Sequence, residues 1–118
     1  MRDIRWAAGL FEGEGCAEVR KDGGGRLRLT MTDQDAVLEF HRVMGRGAIR
    51  QMKVPRGNKP AWDWYVSHKD DVRFCAERLL PYMCERRRKA INAALSAAAS
   101  RRTYTRKRQP GEAARRAA

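Results

Sequence analysis

Apolar positions along the chain recur first at helical spacing, then at strand spacing, and the two periods keep alternating to residue 100. Ile4, Ala7, Ala8, Leu10 and Phe11 share one helical face, with Asp3 as the N-cap and Gly15 as the stop. Cys16–Lys21 reads as a short strand, and Asp22-Gly-Gly-Gly25 as a turn. Arg26–Thr32 then alternates strictly, with Leu27, Leu29 and Met31 on one side and Arg26, Arg28, Thr30 and Thr32 on the other. Asp33 opens a helix whose apolar side holds Val37, Leu38, Phe40, His41 and Met44, and Gly45 and Gly47 end it. A second pair of strands, Ala48–Val54 and Ala61–Ser67, flanks a loop over Pro55–Pro60. In the latter strand Trp62, Trp64 and Val66 face away from Asp63, Tyr65 and Ser67. Val72, Cys75, Leu79 and Leu80 predict a helix from Asp70 to about Pro81, and a last helix runs from about Cys84 to Ser100.

The order helix, hairpin, helix, hairpin, helix, helix predicts an α+β fold. Two hairpins make a four-stranded antiparallel sheet, with the helices on one face. The open face carries Arg, Thr, Asp, Tyr and Ser. An ordinary solvated face would hold more Lys and Glu, whereas this one suits a duplex groove. Trp62 and Trp64 are expected in the core because theirs is the apolar face. His41 should pack at a helix edge, and His68 should be a cap or surface residue.

Charge sharpens the picture. The 118 residues contain 26 Lys and Arg against 14 Asp and Glu, a net charge of +12. Arg accounts for 20 of the 26, and its planar fork suits phosphate and guanine better than Lys does. A hydrophobic fraction of 42% is enough for one core and argues against wholesale disorder. Seven bases and the single acid Glu112 fall in residues 101–118, so residues 1–100 are read as the domain and 101–118 as a mobile basic extension. That extension is either a solubilising end or a source of phosphate attraction. No apolar run reaches membrane-spanning length and no targeting signal is present, so no membrane partner is expected. Cys16, Cys75 and Cys84 lack zinc-ligand spacing and leave one odd, which fits a reducing compartment. The richness in Arg and Ala adds an expectation of a bacterial or phage-infected cytoplasm. A nucleic acid is the first partner to consider.

The densest chemistry lies in Trp6-Ala-Ala-Gly-Leu-Phe-Glu-Gly-Glu-Gly15. Gly9 and Gly13 stack on one side of the first helix and permit close approach of another helix. Glycine inside a helix costs about 1 kcal/mol relative to Ala, so two of them need a reason. Glu12 and Glu14 sit at the C-terminal end, where the macrodipole disfavours negative charge. An acid there is better explained by a cation, and hard divalent metals such as Mg²⁺ take carboxylate and carbonyl oxygens.

This segment resembles the LAGLIDADG motif of the homing endonucleases, in the variant ending Gly-Leu-Phe-Glu-Gly-Glu-Gly. The resemblance extends over residues 5–100. Met31–Asp35 is similar to the family's entry into its second helix, and Gly45–Ile49 to its turn into the third strand. Leu79–Arg88, a Pro-aromatic pair followed by bases, is similar to its closing segment. The element order read above is also the family's. The resemblance implies that Glu14 is the metal-binding carboxylate and that the Gly13 carbonyl is an additional ligand. It implies that Glu12 helps the helix pack and cap. Arg86 stands where a Lys near the scissile phosphate is usual; Arg stabilises phosphate charge but is a poor proton donor or acceptor. Asp33 stands where Gln is frequent, and either orients water or caps its helix.

Phosphodiester hydrolysis needs charge neutralisation and an oriented water, and Mg²⁺ or Mn²⁺ supplies both. One such carboxylate is too few to cut two strands, and the chain holds no second copy of the motif. The expectation is a homodimer on a pseudo-palindromic double-stranded DNA target, with Gly9, Leu10 and Gly13 at the two-fold axis. A strand of about seven residues spans about 23 Å, or roughly 7 base pairs. Glu18, Arg20, Arg26, Arg28, Thr30, Arg50, Asp63 and Tyr65 are the candidate DNA contacts on the sheet. Arg88 and Lys89 join them from the run Arg86-Arg-Arg-Lys89. The alternative is a non-cleaving DNA- or RNA-binding protein on the same fold, a maturase or regulator. Relatives of that kind typically lose the motif acids, and both are present here.

Overall fold

The structure is a computed structural model that describes residues 2–53 and 59–100. Its elements are α1 (Ile4–Glu14), β1 (Gly15–Val19), β2 (Gly25–Met31), α2 (Gln34–Met44), β3 (Ala48–Met52), β4 (Ala61–Val66) and α3 (Lys69–Leu79). A single 3₁₀ turn (Leu80–Tyr82) leads into α4 (Glu85–Ser100). This is the expected α+β order. All strand pairs are antiparallel, and the sheet runs β1-β2-β4-β3, so the two hairpins meet through their inner strands β2 and β4.

Local chemistry sets the ends. Asp3 caps α1 by accepting from the backbone N–H groups of Arg5 (3.0 Å) and Trp6 (3.3 Å). Gly45 takes a left-handed conformation at φ 78° and closes α2. The first strand stops at Val19 rather than Lys21, because the Arg20 carbonyl is taken by the turn through Gly23 N–H (2.9 Å). The helix expected from Asp70 ends at Leu79, where the chain tightens into the 3₁₀ turn around Pro81. The third strand ends at Met52 rather than Val54. Val54, most of the Pro55–Pro60 loop and the basic extension at 101–118 lie outside the described residues.

The core joins the apolar side of the sheet to all four helices. Leu27, Leu29, Trp64 and Val66 meet Phe11, Phe40, Met44, Val72, Leu79 and Ile91. Phe40 stands edge-on to Trp64 with ring centroids 4.8 Å apart. Trp64 also donates through Nε1 to the Arg46 carbonyl (2.8 Å), so its one polar atom is satisfied. Trp62 is only partly buried and packs at the edge of this cluster. At the other side, α4 lies so close to β2 that a Cβ on Gly25 would overlap the Ala94 carbonyl.

Candidate functional site

Two surfaces collect the residues singled out above: the C-terminal end of α1 and the open face of the sheet. At the first, the two acids have different fates. Glu12 is tied to the start of α4. Its Oε1 accepts from the Cys84 backbone N–H (2.9 Å), and its Oε2 accepts from the Cys84 thiol (2.8 Å). These bonds, the thiol's above all, hold the Glu12 carboxyl below the usual carboxylate range, with Arg87 and Arg86 adding to the effect. Glu14, exposed two residues on, makes no hydrogen bond or ion pair among the described residues.

Arg87 fastens the same junction from the other direction. Its Nη2 donates to the Glu12 carbonyl (3.0 Å) and its Nη1 to the Gly15 carbonyl (2.7 Å). A cation thereby meets the negative end of the α1 dipole. Nothing in the run of four bases distinguished this residue by charge. Spacing does, because Arg87 precedes Ile91, Ala94 and Ala98 on the buried stripe of α4. Its neighbour Arg86 is exposed and has no side-chain partner among the described residues, as is the case for Arg88, whereas Lys89 lies 3.8 Å from Glu85. Asp33 resolves toward one of its two readings. It is the N-cap of α2, with Oδ1 accepting from the Ala36 N–H (3.2 Å).

Gly9 and Gly13 are both exposed. A Cβ built on either meets no atom within 4 Å beyond the helix's own backbone. The described residues therefore offer no packing reason for them. Leu10 is half-buried against its own core.

The open face is an ionic ladder rather than a row of free side chains. Glu18 on β1 pairs directly with Arg26 on β2, and lies 3.8 Å from Arg28 Nη1. Arg28 Nε (3.3 Å) and Thr30 Oγ1 (2.7 Å) both donate to Asp63 Oδ1, and Arg50 Nε donates to Asp63 Oδ2 (3.2 Å). Arg50 also stands over the Tyr65 ring at 4.7 Å. Its register opposite Asp63 puts it on the open face, as expected.

Two candidates differ in their surroundings from the others. Asp63 is 0% exposed, because three donors from β2 and β3 close over it. It orients arginines and does not stand free for a base. Arg20 lies beyond the end of β1, in the turn, 3.4 Å from Asp22. Glu18 remains partly exposed but is engaged by arginines.

Among the described residues, no three of the types His, Cys, Asp and Glu come together as a metal site. Glu14 is a free oxygen donor beside exposed Gly13, so this end of α1 fits a hard divalent ion as half of a site. A second carboxylate has to come from elsewhere. Cys75 is buried and its thiol is pushed up to about 12 by desolvation, so it is an inert core residue. No helix among the described residues is long and apolar enough to cross a membrane.

No family profile and no curated protein matches the chain. Solved structures do. The homing endonuclease I-CvuI, in complex with the I-CreI target, superposes with a TM-score of 0.57 at 23% identity, over 79% of this chain and 63% of that one. The homing endonuclease I-TnaI gives a TM-score of 0.61 at 16% identity, over 77% and 67%. The archaeal intron-encoded homing endonuclease I-Vdi141I, complexed with DNA, gives 0.59 at 15%, over 80% and 65%. The chain thus spans about 63% of the length of the I-CvuI chain.

Proposed function

We propose that this chain, which has the fold of the LAGLIDADG homing endonucleases, is one half of a site-specific, divalent-metal-dependent endonuclease that cuts double-stranded DNA as a homodimer. The observation that carries this reading is the α1 terminus. Glu12 is consumed by the fold, whereas Glu14 is left free beside a glycine face that none of the described residues covers. Two copies crossing at Gly9 and Gly13 would bring two Glu14 carboxylates to one axis. Glu14 and the Gly13 carbonyl of each copy are the groups to hold Mg²⁺ or Mn²⁺. Bound there, the ion supplies charge neutralisation and an activated water for phosphodiester hydrolysis.

The remaining steps fall to the chain's own residues. The sheet's arginines take the duplex groove, where phosphate contacts position and base contacts specify. Their hydrogen bonds to Asp63 and Glu18 hold them in place before the DNA arrives. Arg86, unpaired at the start of α4, meets the charge that develops on the reacting phosphate. A guanidinium is a poor proton donor or acceptor, so Arg86 acts by electrostatics alone. The solved I-CvuI and I-Vdi141I complexes, which contain DNA, agree with a duplex on this fold.

The test is the Glu14→Gln variant on duplex DNA flanking the gene, in Mg²⁺ and in EDTA. The native chain should cleave only with Mg²⁺. Glu14→Gln should bind the same duplex and lose cleavage by at least ~10²-fold. Equal products from the two proteins in Mg²⁺ would remove Glu14 from the reaction, and no cleavage from either would leave a binding protein on a nuclease fold.

A further inference from the structure

We infer that Arg87 is a positioning residue for the metal-binding end of α1, an inference that rests on the reading of Glu14 given above. Three observations converge on it. Its guanidinium bonds the Glu12 carbonyl, two residues before Glu14, and the Gly15 carbonyl, one residue after it. The fork therefore brackets the helix-to-strand junction that carries Glu14, and both of its terminal nitrogens are used there. Its Nε is buried with no partner, and the guanidinium carbon lies 5.8 Å from the centre of the Phe11 ring. A buried, unsatisfied N–H costs stability, so the residue is held for the two bonds it does make. The Glu12–Cys84 bonds join the same two elements one turn away. Together they fix the backbone on each side of a carboxylate that is itself free.

The chemistry follows from the geometry. The last carbonyls of a helix point outward, and a bound cation would compete with any loosening of them. A planar fork spanning two carbonyls fixes the Glu12–Gly13 peptide on one side of Glu14 and the departure of β1 on the other. Lysine keeps the charge but can serve only one carbonyl well, and glutamine loses the charge. Arg87 therefore acts through Glu14 and touches neither metal nor DNA.

The experiment uses the full chain bound to a duplex that it selects from a randomised pool. Mn²⁺ is titrated in and followed by loss of the free-ion paramagnetic resonance signal. Duplex affinity in EDTA and thermal melting are measured on the same samples. Arg87→Lys and Arg87→Gln should need about 10–100-fold more Mn²⁺ for half occupancy, the Gln variant more than the Lys, with duplex affinity unchanged. Native Mn²⁺ occupancy in both variants would overturn the inference. So would a loss of duplex affinity and melting temperature in step with the loss of metal, since that marks a general structural role. If Arg87→Gln does not fold, Arg87→Lys decides. Glu14→Gln is run alongside. If it binds Mn²⁺ like the native chain, the metal reading of Glu14 fails and takes this inference with it. Impaired binding in Glu14→Gln with native binding in the Arg87 variants removes this inference alone.

Discussion

Asp63 shows how far a single residue's role depends on strands distant in sequence. Alternation along β4 correctly assigns it to the open face, and a polar residue on such a face looks available to a ligand. Its burial comes from Arg28 and Thr30 on β2 and Arg50 on β3, which flank β4 on either side. Only the sheet order reveals this, and periodicity within one strand carries no trace of it. The carboxylate satisfies two guanidinium groups at once, so Asp63→Asn should lower unfolding stability by about 1–3 kcal/mol in a denaturant titration. The same variant should also blur discrimination among duplex sequences, because Arg28 and Arg50 lose their shared anchor. Unchanged stability would show that solvent replaces the carboxylate at no cost. Arg87 was more legible: its spacing to Ile91, Ala94 and Ala98 places it on the buried stripe, although four consecutive bases hide it from a reading by charge.

At the scale of elements, apolar spacing and turn residues together located the four α-helices and four strands of the described residues, although β3 alternates poorly and the 3₁₀ turn at Leu80–Tyr82 was not among the expected elements. The ends were less legible. The first strand yields Arg20 to a glycine turn, and the third helix ends two residues early, at Leu79, ahead of the 3₁₀ turn that holds Pro81. These are outcomes of local hydrogen bonding that apolar spacing does not encode. The first helix carries the sharpest prediction. Since none of the described residues touches a Cβ at Gly9 or Gly13, alanine at either position should stabilise an isolated chain by up to about 1 kcal/mol. If a second α1 packs there, the same substitutions should weaken self-association. Melting at low concentration and sedimentation at high concentration should therefore move in opposite directions. Parallel gains in both would remove the helix-crossing interface.

For the whole molecule, the net charge of +12 gains an address. Several of its arginines lie on the open sheet face, where acids hold them in register, and Arg86 and Arg88 stand free at the head of α4. Such a surface is matched to a polyanion of regular spacing. On the reading proposed above, one free motif carboxylate per chain calls for two chains in a complete centre. Sedimentation of the protein with duplex DNA at micromolar concentration should give two subunits per duplex, and a one-to-one complex would count against the homodimer.

The bonds between α1 and α4 also carry a message about the order of synthesis. Glu12 and Gly15 find their partners, Cys84 and Arg87, 72 residues later in the chain. A ribosome therefore releases Glu14 long before the groups that brace its surroundings exist. A product terminated anywhere before residue 84 carries the motif acid without that bracing, however well its first helix forms.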